Sequence, residues 1–345
     1  MIQTKPQLER HLKTINSAFH LAIDTEFKRI NTYYPELCLV QIATTHSAEC
    51  IDVLSINDLE PLFEKLYHNE TEWVVHSARQ DIEALYHLSK RIPVSLFDTQ
   101  IAASLLNYPL QISYQALTEI LQDVQLDKSF TRFDWTTRPL PANVVEYALD
   151  DVRYLLPNFE KLKHELTISK KIQWLDEETR FLLDQELYEP SIEQICYKTK
   201  GLSRLGKKFQ DHAIKLAAWR EHNAQQKNKP RKWIMSDQKL LDYACGKIKL
   251  STRSKKLFDD FVKESSETFT LSELLTPQKP LTSSEKSKKN ELQRIINSLG
   301  EAYNLPPEVI STSKSLIRFI RGDLSAPLRS GWRAKLFNKE KLDAK

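Results

Sequence analysis

The chain has 345 residues, 41% of them hydrophobic and 28% charged, a globular composition long enough for two or three domains. All six glycines lie at position 201 or later, so the first 200 residues contain no Gly-rich phosphate loop. That excludes a P-loop nucleotide hydrolase and a dinucleotide-binding fingerprint there, because both need glycine where backbone approaches phosphate. The net charge of +4 is unevenly divided: residues 1–200 hold 20 Lys/Arg against 30 Asp/Glu, and residues 201–345 hold 30 against 16.

The first elements alternate between strand and helix. FHLAIDTEF (19–27) is an apolar run ending in carboxylates, LCLVQIAT (37–44) is a second strand, and Ala48–Leu54 a third. NDLEPLFEKLY opens with a plausible cap and has helical spacing. EWVVHSA (72–78) reads as a buried strand and 78–90 as an amphipathic helix. SLFDTQIAASLLN (95–107) gives a brief strand, then a helix capped by Asp98 or Thr99. This order fits a mixed sheet flanked by helices, an α/β fold.

Strand signals stop near residue 113. SYQALTEILQDV is helical, and a polar connection runs from Asp127 to Pro141. Residues 141–166 form a long helical stretch that Pro157 should kink or divide. LDEETRFLLDQELYEP (175–190) reads as a charged helical linker, and the stretch from Gln278 to Lys289 as a second linker, rich in Pro, Ser and Lys. Two small helical bundles are expected in the basic half. That half reads as a nucleic-acid grip, or more plainly as a surface charged for solubility. Cys38, Cys50, Cys196 and Cys245 form no CxxC pair, so zinc-ligand spacing is absent. No signal peptide and no apolar run of about 20 residues is evident, which leads to the expectation of a reduced cytoplasmic protein with no membrane contact.

Three signals carry chemistry. Asp24 and Glu26 are two apart on a strand, so they share a face, and like charges that close call for a cation. Taken alone, such a pair more often marks a solvated strand edge. Tyr147 and Asp151 are four apart on a helix and share a face, with Asp150 turned away by about 100°. Asp81 sits in the first turn of a helix, where it also suits the helix dipole.

In order these residues spell DxE, then D, then YxxxD. The sequence resembles the DEDDy 3′–5′ exonucleases, and within them the ribonuclease D family. The resemblance rests on IDTEFKR (23–29) with TYYPELCLVQIAT after it, VHSARQDIEAL (75–85), FDTQIAASLL (97–106), LDKSFTRFDWTTRPL (126–140) and EYALDDVRYLLP (146–157). The tail LAAWREHNA…KPRKWIMSDQKLL looks like an HRDC domain, and a weaker second copy ends in LRSGWRAKLF.

The resemblance implies a ribonuclease H-like exonuclease domain over 1–170, a helical linker over 171–204, an HRDC domain over 205–283 and a divergent HRDC-like domain over 284–345. It implies that Asp24, Glu26, Asp81 and Asp151 bind two divalent metal ions, Mg²⁺ or Mn²⁺, and that Tyr147 orients the attacking water. The implied partner is RNA with a free 3′ end, such as a tRNA precursor, acted on by a monomer. Candidate substrate contacts are Phe27 by stacking, His76 and Gln80 at the terminal nucleotide, and Arg132 and Arg138 at phosphate. Asp98 and Asp134 more simply serve the fold. Lys227, Lys229, Arg231, Lys232, Arg253, Lys255 and Lys256, with Trp233, are candidates for the RNA grip. A DNA-directed exonuclease and a non-catalytic RNA-binding adaptor are the rival readings.

Overall fold

A computed structural model describes residues 1–264 and 280–343. Five strands form one sheet in the order β3-β2-β1-β4-β5. They are β1 (His20–Lys28), β2 (Glu36–Ala43), β3 (Ala48–Asp52), β4 (Glu72–Val75) and β5 (Ser95–Asp98). β1 pairs parallel with β4 and β4 parallel with β5, whereas β2 and β3 are antiparallel. Every residue of β2 except Glu36 is buried, as expected of a strand covered on both faces.

The helices of this first part are α1 (Lys5–Thr14), α2 (Glu60–Leu66), α3 (Arg79–Ser89), α4 (Thr99–Leu105), α5 (Tyr114–Gln122), α6 (Ala142–Arg153), α7 (Leu155–Ile168) and α8 (Ile172–Thr179). Pro157 does divide the long helical stretch. The break falls at Tyr154, three residues earlier, because proline fits in the first turn of α7, where its missing N–H has no intrahelical partner. The expected strand 72–78 ends instead at Val75. Asp98 accepts the backbone N–H groups of Ser77 and Ala78, and Ser77 turns to φ 65°, which aims the chain into α3.

The chain divides into two compact units. The first contains 1–28, 37–184 and 281–345; the second contains 29–36 and 185–280. The first unit therefore includes the C-terminal helices α14 (Ser283–Tyr303), α15 (Pro307–Ile310), α16 (Ser313–Ile320) and α17 (Gly331–Asp343). These helices, expected to form a separate bundle, share one core with the nuclease helices: Leu292, Ile296, Leu299, Trp332 and Phe337 cluster with Phe159, Leu166 and Leu175. Trp332 stacks on Trp174 with ring centroids 4.5 Å apart and planes 9° apart. Glu177 accepts the backbone N–H of Trp332 at 2.9 Å, and Glu178 pairs with Arg333. Part of the expected linker, α8, is thus built into this core.

The expected second linker also changes character. Gln278 and Lys279 lie outside the described residues, but Ser283–Lys289 are helical. The Thr282 side chain accepts from the Glu285 N–H and the Glu285 side chain accepts from the Thr282 N–H, a reciprocal cap that starts α14 within Ser/Lys-rich sequence.

The second unit is helical: α9 (Ile192–Lys198), α10 (Lys207–Gln226), α11 (Arg231–Ile234), α12 (Asp237–Ala244) and α13 (Thr252–Glu264). Its core gathers Ile195, Leu202, Ile214, Ala217, Trp219, Leu240 and Phe258. The connection 29–36 between β1 and β2 belongs to this unit. The N–H groups of Tyr33 and Tyr34 both donate to Asn228 Oδ1 at 3.0 Å, and the Tyr33 hydroxyl donates to Glu221. Among the described residues no helix is long and apolar enough to cross a membrane.

Because Trp332 is 2% exposed and stacked, Trp332→Ala should cost about 3–5 kcal/mol and lower the denaturation midpoint of the nuclease unit. Trp219→Ala should instead lower that of the helical unit. Urea titration followed by exonuclease-unit and helical-unit probes separates the two; an unshifted nuclease unit in Trp332→Ala would exclude a shared core.

Candidate active site

The site forms where β1 leaves the buried sheet. β1 is apolar through Leu21, Ala22 and Ile23, each 0% exposed, and then presents Asp24 and Glu26 on one face. Helix α6 packs on β1 and β3, and its Val144, Ala148 and Leu149 cluster with Cys38, Leu39 and Cys50, which places Asp151 at the same end. Carboxylate oxygens of Asp24, Glu26 and Asp151 all lie within 4.8 Å of one another. Three residues far apart in sequence meet because sheet and helix are each held by apolar burial.

Asp81 stands beside this group but is tied differently. Its Oδ1 accepts from the Thr25 N–H at 3.1 Å and from the Thr25 hydroxyl at 2.6 Å. Thr25 lies between the two strand carboxylates and points the other way, so it links α3 to β1. Asp98 caps α4 by accepting from Gln100 and Ile101, and the same carboxylate holds the turn into α3. Asp98 is therefore a positioning residue, as the simpler reading of the sequence has it.

The electrostatics are severe. Burial is the largest cause raising all four carboxyl pKa values, and mutual repulsion adds to it at Asp24, Glu26 and Asp151. Asp24 lies well above the ordinary carboxylate range, Glu26 is pushed up to about 9, and Asp81 and Asp151 to about 7. Two basic residues near the site in sequence are engaged with other acids. Lys28 pairs with Asp134 at 3.0 Å, and Arg153 with Asp150 at 2.6 Å and Glu146 at 2.7 Å. A crowded set of oxygen donors with no ion pair to a basic residue among the described residues suits a hard divalent cation.

Tyr147, one turn before Asp151 on α6, packs its ring near Phe130 and Trp135, with centroids at 5.7 and 6.4 Å. Its hydroxyl lies 3.4 Å from Thr131 Oγ1. Burial raises its pKa first, and the charges of Asp151, Glu26 and Asp24 raise it further. The phenol is therefore protonated at neutral pH and able to donate a hydrogen bond.

The structure reassigns several sequence candidates. Arg138 is no phosphate contact. It pairs with Asp52, itself 0% exposed, at 2.8 and 2.6 Å and also donates to the carbonyls of Cys38, Trp135 and Thr137. His76 is also structural: one ring nitrogen is 2.9 Å from Thr99 Oγ1, the other 2.9 Å from the Ile112 carbonyl. Asp134, paired with Lys28 and bonded to Thr136, secures the loop beside β1. Gln80 and Arg132 are exposed, and Phe27 is half-buried on the β1 face opposite Glu26. The sequence does not single out Thr25 and the Phe130–Trp135 wall, although they lie in the matching blocks 23–29 and 126–140, because local spacing does not say that they support the site.

Residues 1–167 match the family described as 3′-5′ exonuclease. The chain is 33% identical to ribonuclease D of Bartonella henselae, with 99% of this chain and 88% of that relative covered. The chain belongs to the ribonuclease D family. Its members are 3′–5′ exoribonucleases, and this chain is a hydrolase of that type. Ribonuclease D of Gluconacetobacter diazotrophicus is 28% identical, with 100% and 92% covered. The fold is that of the Escherichia coli RNase D crystal structure, at TM-score 0.82 and 24% identity over 99% of this chain and 98% of that one.

The raised carboxyl pKa values set a pH dependence. Unfolded carboxyls release protons near pH 4, while the folded site keeps them to about 7 at Asp81 and Asp151 and about 9 at Glu26. Between these limits the folded state binds more protons, so metal-free stability should fall as pH rises. Added Mg²⁺ or Mn²⁺, which displaces those protons, should raise the melting temperature more at pH 8 than at pH 6. Asp24→Asn should flatten the metal-free decline and remove the metal-dependent rise. A melting temperature that climbs with pH in EDTA would contradict the site.

Proposed function

We propose that this 3′–5′ exoribonuclease trims the 3′ ends of tRNA precursors and other small structured RNAs, aided by two divalent cations, Mg²⁺ or Mn²⁺. The observation that carries the reading is the convergence of Asp24, Glu26 and Asp151 within 4.8 Å, beside Asp81 and with Tyr147 in their field. The Escherichia coli enzyme of the same fold is an exoribonuclease involved in structured RNA processing, which supports a substrate with a folded body and a free 3′ tail.

In this reading Asp24, Glu26, Asp81 and Asp151 would hold the cations. When bound, these supply Lewis-acid stabilisation of the phosphodiester oxygens and a water of lowered pKa. The protein's own groups do the rest. Asp24 and Glu26 project from a paired strand and Asp151 from a packed helix, so the acceptors stay fixed through the reaction. Thr25 holds Asp81 by two hydrogen bonds and limits its movement. The protonated Tyr147 hydroxyl orients the attacking water toward the terminal phosphodiester; its raised pKa suits this better than proton abstraction. Attack with cleavage of the P–O3′ bond releases a nucleoside 5′-monophosphate and leaves a new 3′-hydroxyl.

The decisive assay uses a 3′-extended tRNA labelled at its 5′ end, with Mg²⁺ or Mn²⁺ and an EDTA control. A ladder shortening one nucleotide at a time, absent in EDTA and weaker on a matched DNA, is the expected result. Asp24→Asn should abolish shortening while leaving RNA binding in place. Tyr147→Phe should lower kcat by about 10²-fold with KM little changed. Binding without shortening in either metal would favour an adaptor. Equal degradation of the DNA would remove the RNA preference. The protein is taken to act as a cytoplasmic monomer.

A further inference from the structure

The helical unit carries a cleft of about 450 Å³ between the connection 29–36 and residues 195–237. Six of its lining residues are cationic: Arg29, Lys198, Lys200, Arg220, Arg231 and Lys232. Its lining contains one carboxylate, Asp237, and Arg220 holds that at 2.7 Å. Arg231 is bound by the buried Glu221, which lies outside the lining. Counting both acids, cations still outnumber them by four. Arg231, a candidate for the RNA grip on sequence alone, is thereby a fixture of the wall.

Two of the six cations, Arg220 and Arg231, are held in place by acids, and the four that carry the excess charge, Arg29, Lys198, Lys200 and Lys232, are exposed around the cleft. Arg220 is 3% exposed, and its Nε–H has no acceptor among the described residues. Tyr33, on the facing wall, is fixed by Glu221, by Asn228, and by the Arg231 guanidinium 5.2 Å from its ring centroid. A cationic concavity with apolar walls focuses its field on an anion, and its preformed shape lowers the ordering cost of binding.

Beside the cleft stands Trp233, 61% exposed, next to Lys232 on α11, with Lys229 Nζ 5.8 Å from its ring centroid. A large exposed indole next to a basic cleft matches the repeat of a single-stranded nucleic acid, a charged backbone beside a flat base. We propose that this cleft holds backbone phosphate of the RNA substrate, with a neighbouring base stacked on Trp233. The inference deepens the exoribonuclease reading and rests on it for the choice of RNA. Lys198 and Lys200, which no sequence motif singled out, become part of the grip.

The test uses the full-length protein in EDTA, so that binding is read without cleavage. The probe is a fluorescent RNA hairpin with a single-stranded 3′ tail, titrated at several salt concentrations. Lys200→Ala/Lys232→Ala should weaken binding about tenfold and flatten the slope of log K against log[salt] by roughly one to two, about one per lost phosphate contact. Trp233→Ala should weaken binding by a similar factor and leave the slope unchanged. Lys200→Glu/Lys232→Glu should weaken binding further than the alanine pair. Thermal melts confirm that each variant is folded; both lysines and Trp233 are exposed.

Unchanged affinity and slope in the lysine variants would overturn the proposal. So would variants that lose binding of inorganic phosphate or a nucleoside 5′-monophosphate while keeping RNA affinity, since the cleft would then serve a small anion. A wild-type protein that binds the hairpin yet never shortens it in Mg²⁺ or Mn²⁺ would refute the exoribonuclease reading, while the binding series would still decide the cleft.

Discussion

Four carboxyl groups cannot all ionise at the end of a buried strand unless a cation offsets them. That repulsion is the constraint on which the nuclease unit depends, and the fold spends apolar burial to hold it. Asp24 and Glu26 end a strand whose preceding residues are wholly buried. Asp151 arrives on a helix packed over the same sheet. Each charge taken alone would relax into solvent; the sheet and α6 together deny that route. The cost in stability is the reason the site is suited to metal chemistry, because the strained charge is relieved on binding.

Precision comes from groups that perform no chemistry. Thr25 fastens Asp81 to the strand of its partners. Asp98 starts α4 and shapes the turn that delivers α3. Arg138 gives its donors to Asp52 and nearby carbonyls, joining the loop before α6 to β3. For Asp52, burial opposes ionisation, but hydrogen bonds from Arg138, Ser55 and Gln3 outweigh it and hold the pKa low. The contrast with the active-site carboxyls is instructive. Both kinds are withdrawn from water, and the presence or absence of a basic partner decides which way each pKa moves.

The two units divide charge as well as structure. Acid accumulates where metal and scissile bond would meet, and base accumulates on the helical unit, where the RNA body would be held. The segment 29–36 that leaves the catalytic strand β1 is itself part of the helical unit, fixed there by Asn228 and Glu221. In the chain, β1 is therefore followed directly by three residues of the cleft lining, Arg29, Thr32 and Tyr33.

The amino-acid sequence by itself determined the sheet strands, the helix break at Pro157 and the carboxylates with Tyr147, since these depend on local periodicity, proline chemistry and motif order. The tertiary structure alone decided which charged residues are available. Arg138 and His76 look like ligands in sequence, yet distant partners, Asp52 and Ile112, occupy them, as Glu221 on the preceding helix does Arg231. It also decided that 283–343 share the nuclease core, although a Lys/Ser-rich stretch suggested a linker. The physical reason is common to both: local sequence records a residue's charge and its helical or strand spacing. Whether that charge is spent on a buried partner, or that apolar face meets another element, is set by contacts between positions far apart in the chain.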